Sequence, residues 1–216
     1  MIKARFALLT LFFILFSLPA FAQEEGFYVA GSYGALLLNE SDGEKPSGDF
    51  VVDFDTGNAL TFALGYDFGT KHPDIGVGRL ELELALREIP LKETDFTGAL
   101  ATAEGDLEVR SLMLNSFGES RDNLPWIPYV GLGVGVAEVR LENATTGGAP
   151  FVDDSDLVFA FQAGAGVGFM VSDPLTIDFG YRFLGMTKPE LTAANGEKFE
   201  LEHYSHLFLV GARITF

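Results

Sequence analysis

The sequence predicts an all-β chain folded as an eight-stranded antiparallel up-and-down transmembrane β-barrel, with its apolar face turned outward. Three observations predict it. Eight separate stretches alternate apolar with polar or small residues, two of them place glycine at every second position, and the chain opens with an export pattern.

Lys3 and Arg5 precede a mostly apolar run over 6–18, which ends in Pro19-Ala20-Phe21-Ala22. Positive charge, a short greasy core and small residues two apart are the parts of a cleavable secretory signal. The run falls short of the roughly 20 residues that a membrane-spanning helix needs. Residues 1–22 are therefore expected to be a cleaved signal peptide and 23–216 an exported barrel domain.

The strands are expected at 27–38, 57–68, 77–89, 106–117, 126–142, 157–171, 175–187 and 202–216. In the second, Leu60, Phe62, Leu64, Tyr66 and Phe68 alternate with Thr61, Ala63, Gly65 and Asp67. The third, Leu80-Glu81-Leu82-Glu83-Leu84-Ala85-Leu86-Arg87, is built of good helix formers. Strict alternation would nevertheless scatter charge all round a helix, whereas it gathers charge on one face of a strand. The seventh sets Leu175, Ile177, Phe179, Tyr181 and Phe183 against Thr176, Asp178, Gly180 and Arg182. In the eighth, Tyr204, Phe208, Val210, Ala212, Ile214 and Phe216 share one parity, while Leu207 and Leu209 interrupt the other.

The connections alternate in length. Those at 69–76, 118–125 and 172–174 are short, and those at 39–56, 90–105, 143–156 and 188–201 are long. Short turns at one end and long loops at the other are how membrane barrels sit, with turns periplasmic and loops outside. In hydrocarbon every backbone polar group must be paired within the protein, so the first strand must close on the last.

Alternation alone does not say which face is wet. The small residues do. Gly131, Gly133 and Gly135 alternate with Val130, Leu132, Val134 and Val136, and Gly164, Gly166 and Gly168 alternate with Phe161, Val167 and Phe169. Glycine on the outer wall of a water-soluble barrel would cost strand stability for no return. Inside an eight-stranded barrel, where space is tight, it makes room for long side chains. The oily face then meets lipid. Trp126, Tyr66, Phe68 and Phe216 fall near the turn end, and Tyr181, Phe183 and Tyr204 further up, as interfacial girdles do.

Composition narrows the function. The chain carries 31 acidic against 14 basic residues, a formal net charge of −17, which argues against a nucleic-acid partner. It has no cysteine, so disulfides and thiolate metal sites are excluded. The sequence holds no phosphate loop, nucleotide motif or metal constellation, and neither a cofactor nor a metal is expected.

By parity Glu81, Glu83, Arg87, Gln162, Asp178, Arg182 and Arg213 face the lumen. Buried charges need partners, so Glu81, Glu83, Arg87, Asp178, Arg182 and Arg213 are expected to form carboxylate–arginine pairs across the barrel. Such a network either locks the barrel or lines a narrow path for small solutes. His203 and Ser205 are set two apart on the same face. The acids Asp42, Glu44, Asp49, Asp53 and Asp55 fall in the first long loop and Asp153, Asp154 and Asp156 in the third, without the ligand spacing of an EF-hand. They read as a solvated surface, as weak divalent-cation bridges to lipopolysaccharide, or as contacts for a basic surface. His72 falls in a short turn.

Six stretches carry a resemblance to a known group: Gly26-Phe27-Tyr28-Val29-Ala30-Gly31, Leu64-Gly65-Tyr66-Asp67-Phe68, Arg79-Leu80-Glu81-Leu82-Glu83, Pro128-Tyr129-Val130-Gly131-Leu132-Gly133-Val134-Gly135, Asp178-Phe179-Gly180-Tyr181-Arg182-Phe183 and Gly211-Ala212-Arg213-Ile214-Thr215-Phe216. Their order over the whole mature length resembles the OmpA/OmpX/opacity-like superfamily of small outer-membrane barrels. The resemblance implies an outer-membrane location, with lipid and lipopolysaccharide as surroundings. It also implies that Phe216 belongs to the signal read by the barrel-assembly machinery. A non-enzymatic surface barrel follows as the first reading, its acidic loops touching host or neighbouring envelope proteins for adhesion or envelope structure. The His203–Ser205 pair resembles the nucleophile arrangement of outer-membrane lipid A deacylases, which gives a second, enzymatic reading. That family needs an acid downstream of the pair. Nothing acidic follows Ser205, and Glu200 and Glu202 have the opposite parity.

Overall fold

In the computed structural model of the chain, the structure describes residues 25–38, 41–44, 50–69, 77–96, 99–146, 149–201 and 204–216. The expected signal segment 1–22, together with Asp49, His72, Glu202 and His203, lies outside them. Among the described residues twelve strands follow one another: β1 (Gly26–Leu38), β2 (Ser41–Glu44), β3 (Phe50–Phe54), β4 (Gly57–Asp67), β5 (Gly78–Phe96) and β6 (Ala99–Glu119). After these come β7 (Trp126–Thr146), β8 (Ala149–Ser172), β9 (Leu175–Met186), β10 (Glu190–Thr192), β11 (Lys198–Leu201) and β12 (Tyr204–Thr215).

Eight of them close an antiparallel barrel in the order β1-β4-β5-β6-β7-β8-β9-β12. The seam between first and last strand runs unbroken from Tyr28↔Thr215 to Leu38↔Ser205, and the backbone N–H of Phe216 donates to Phe27 O at 2.9 Å. The alternation sets the wall. Leu132 is 72% exposed and Phe161 42%, whereas Arg182 and Arg213 are buried. On β7 the outward apolar positions run from Trp126 to Val136. Ten residues at ~3.3 Å rise and ~40° tilt span about 25 Å, the height of the lipid-facing band of such barrels.

The long loops correct the expectation. Residues 90–96, 99–105, 143–146 and 149–156 are strand, as β5 to β8 continue beyond their expected ends. The segment 39–56 contains β2 and β3, and 188–201 contains β10 and β11. Above the lipid band the outer face meets water, so nothing keeps it apolar, and register shifts after Pro90, Glu104 and Leu141 break the period. Period-two reading loses the strand there although the backbone ladder persists.

These extensions build a second ring, a crown. It runs β2-β3-β5-β6-β7-β8 and returns through β10 and β11 to β2. Its last seam, between β8 and β10, has a single bridge, Val152↔Ala193.

The interior is not uniformly polar, a second correction. Near the turn end it is charged. From Ile89, Leu107, Val109, Val139, Leu184 and Leu207 upward it is a packed apolar core that reaches Leu141, Ala144, Val152, Leu191 and Phe199 in the crown. Leu207 and Leu209, which spoil the alternation of the last strand, point into this core.

Candidate functional site

The lower half of the barrel gathers polar side chains from all eight of its strands. Glu81 on β5 is a hub. It accepts hydrogen bonds from the Tyr28 hydroxyl (2.7 Å) and Asn115 Nδ2 (3.2 Å), and lies 3.6 Å from Arg182 Nη2. Glu83, two residues on and therefore on the same face, accepts from Gln162 Nε2 at 3.2 Å and from Arg182 Nη2 at 3.5 Å. Gln162 also donates to Asn115 Oδ1 (2.5 Å), which orients both amides.

A second hub lies nearer the turns. Glu119 pairs with Arg79, with Arg213 Nη1 at 3.1 Å and with Arg121 Nη2 at 2.7 Å. Asp67 shares two of these guanidinium groups, 2.5 Å from Arg121 and 3.6 Å from Arg213. Asp178 lies 3.7 Å from Arg213 Nε. Among the described residues, five carboxylates (Asp67, Glu81, Glu83, Glu119 and Asp178) and five arginines (Arg79, Arg87, Arg121, Arg182 and Arg213) meet in this tier, in equal number. Each of these five cations is arginine, whose planar fork can serve two carboxylates at once as lysine cannot.

Aromatic rings pack between the charges. Arg79 lies 4.4 Å from the centre of Phe117 and 4.5 Å from Tyr129, and Arg182 lies 4.5 Å from Phe117. Glycines admit these rings. A methyl group on Gly65 would overlap the Tyr28 ring, and one on Gly131 the Phe117 ring. Gly164 makes the corresponding space for Arg182. The Gly columns of β7 and β8 therefore hold aromatic and amide groups as well as the long charges expected of them.

Of the six arginines and acids expected in the lumen, the structure brings Glu81, Glu83 and Arg182 into one cluster and Asp178 and Arg213 into another. Arg87 stands apart, bonded through Nη1 to Ser111 Oγ at 2.7 Å. Tyr28, Asp67, Arg79, Ser111, Asn115, Glu119 and Arg121 are members that sequence reasoning missed. Asp67 and Arg79 share the parity of Gly65 and Glu81 and were readable. Glu119 lies past the expected end of its strand, and Arg121 lies in the turn beyond.

Ser205 is fully buried, its Oγ makes no hydrogen bond within the protein, and its cross-strand neighbours are Leu38 and Leu184. His206 faces outward, where Nδ1 lies 2.7 Å from the Tyr181 hydroxyl. Among the described residues no group of three or more His, Asp or Glu is placed to hold a metal.

Two of the loop acids have a structural task. Asp154 Oδ1 accepts the N–H of Ser155 and Oδ2 the N–H of Thr192, both at 2.8 Å. Asp156 repeats the pattern with Leu157 (2.8 Å) and Glu190 (2.9 Å). The carboxylates stand in for the missing ladder between β8 and β10. Desolvation opposes ionisation of Asp154, but the bonds from Ser155 and Thr192 and the charge of Lys198 outweigh it and hold its pKa below the usual carboxylate range. Asp153 lies 3.9 Å from Arg140, and Asp55 is exposed.

Residues 8–215 match the family model described as outer membrane protein beta-barrel domain. Among curated proteins the chain is similar to outer membrane protein PagN of Salmonella typhimurium, 28% identical over 192 residues, covering 78% of each chain. Among solved structures it is similar to the outer membrane protein OprG from Pseudomonas aeruginosa, with a TM-score of 0.59 at 14% identity, covering 88% of this chain and 97% of that one. Neisserial surface protein A gives a TM-score of 0.54 at 14% identity with the same coverage.

Proposed function

We propose that this chain, which belongs to the outer membrane protein beta-barrel domain family and lies in the outer membrane, is a non-enzymatic surface protein that works through its crown. The observation that carries this reading is the length of β5 to β8. At 19 to 24 residues they are about twice the roughly 9–11 that cross a bilayer. The surplus is knitted into a ring around the upper end of the apolar core. By the usual orientation of such barrels, this ring stands outside the cell.

The crown offers exposed acids, Asp55, Asp153, Glu190 and Glu200 among them. Such a surface suits a basic patch on a host or neighbouring envelope protein, so adhesion or envelope contact is the role that fits it. Lipid and lipopolysaccharide surround the barrel below. The enzymatic reading loses support because Ser205 lies unpartnered among apolar neighbours. The channel reading loses support because the apolar core sits above the charged tier. The lumen acids and arginines act in this reading as a lock on the barrel, and Phe216, tied back to β1, as the mark read at assembly. Deleting Phe216 would then lower the folded fraction recovered from cells.

The test is adhesion. Cells displaying the protein should bind a surface coated with a lysine-rich polypeptide more strongly than cells without it, and the difference should shrink in high salt. Reversing Asp55, Asp153, Glu190 and Glu200 to lysine should abolish the gain. Equal binding by the reversed protein would refute the crown as a contact surface for basic partners.

A further inference from the structure

Resting on the crown as a surface for basic partners, we infer that one cavity beside its weakest seam takes the side chain of a partner lysine and discriminates there against arginine. The cavity, of about 640 Å³, lies between the outer ends of β7 and β8 and the turn that joins β10 to β11. Its size is within the roughly 300–1,000 Å³ of ligand pockets. Val152 and Ala193, the single bridge of that seam, are both in its wall.

The lining is of two kinds. Ala144, Val152, Ala193 and Ala194 are small and apolar, a surface that the four-carbon stem of lysine can cover while its charged head stays among polar groups. Thr145, Asp153, Asp154 and Thr192 supply the oxygen atoms for that head.

The local charge draws a cation. Asp154, Asp156 and Glu190 meet at the seam, and Asp153 stands beside them. Among the described residues, Arg140 lies 3.9 Å from Asp153 and Lys198 2.5 Å from Glu190. Four carboxylates against these two cations leave the site negative.

Geometry decides between the two basic side chains. A guanidinium binds a carboxylate best through a planar fork that takes both oxygens at once. Neither oxygen of Asp154 is clear, because Oδ1 already accepts the N–H of Ser155 and Oδ2 that of Thr192, both at 2.8 Å. Asp153 has the Arg140 guanidinium beside Oδ1. An ammonium is a compact charge with three rotatable donors and needs only single lone pairs, so Asp153, Asp154 and a threonine hydroxyl can share it.

Short fluorescent peptides titrated onto the purified, folded barrel at physiological salt test the selection. Pentalysine should bind about fivefold more tightly than pentaarginine, the scale of one charge-assisted hydrogen bond. Ala194→Phe, at an exposed position, fills the cavity without altering charge and should erase that preference while both peptides still bind weakly. Equal affinities for the wild type, or tighter binding of pentaarginine, overturn the inference and leave the acidic surface standing. A lysine preference that survives Ala194→Phe does the same. Should the variant fail to fold, the wild-type comparison alone decides. Failure of both peptides to bind would remove the surface reading together with this one.

Discussion

Asp154 on β8 accepts the backbone N–H of Thr192 on β10 at 2.8 Å, where a continuous sheet would place a carbonyl oxygen. With Asp156 and Glu190 two residues along, it closes the crown through side chains instead of a ladder. Residues that read as solvated loop charge in the sequence are, in the fold, the clasp of the outer ring.

The clasp should respond to neutralisation. Asp154→Asn combined with Asp156→Asn should raise hydrogen exchange at the Thr192 and Glu190 amides about fivefold, given two charge-assisted bonds at a partly exposed site. Exchange in the barrel strands should not change. The pH dependence has a defined sign. Because the pKa of Asp154 is lowered by folding, its contribution is fully present above the ordinary carboxylate range and is lost as pH falls through the lower, folded value. Protection of Thr192, corrected for intrinsic exchange, should therefore be flat through neutral pH and drop only in strong acid.

The lower hub should be far less forgiving. Glu119→Ala leaves Arg79 and Arg213 buried without their shared acid, a loss of about 3–5 kcal/mol. Leu132→Ala on the lipid face opens no interior cavity and should cost much less. Urea midpoints of the two variants in lipid vesicles give the comparison. Similar midpoints would mean that the ion network does not lock the barrel.

The fit between Gly65 and Tyr28 gives a paired prediction. Gly65→Ala should destabilise the barrel through overlap with the Tyr28 ring, and Tyr28→Leu should destabilise it by removing the bond to Glu81. Combined, they should cost less than the two single losses added together, because leucine vacates the space that the alanine methyl needs. Additive costs would show that the glycine is not there for the ring.

Much of this arrangement was legible in the sequence, and the reasons for the remainder are physical. The Leu80–Leu86 and Phe179–Arg182 alternations fix which side chains face lipid, because a bilayer tolerates only apolar residues on the outer wall. That constraint ends where the membrane ends, so the upper halves of β5 to β8 carried no periodic signal. Ile89, Leu107, Leu184 and Leu207 were hidden for a related reason. They are apolar on the face expected to be polar, and only the closed ring shows that they pack on one another. Partner choice within the lumen was also beyond parity. Nothing in the spacing says that Glu119, outside its expected strand, pairs with Arg79, Arg121 and Arg213 at once.

A surface role for the crown requires an interior that is shut, with charge locked below and hydrocarbon packed above. Planar-bilayer recording of the purified, folded barrel tests this most directly. Current at the baseline of protein-free lipid across ±100 mV, a range typical of membrane potentials, is the predicted result. Reproducible single-channel steps would contradict it.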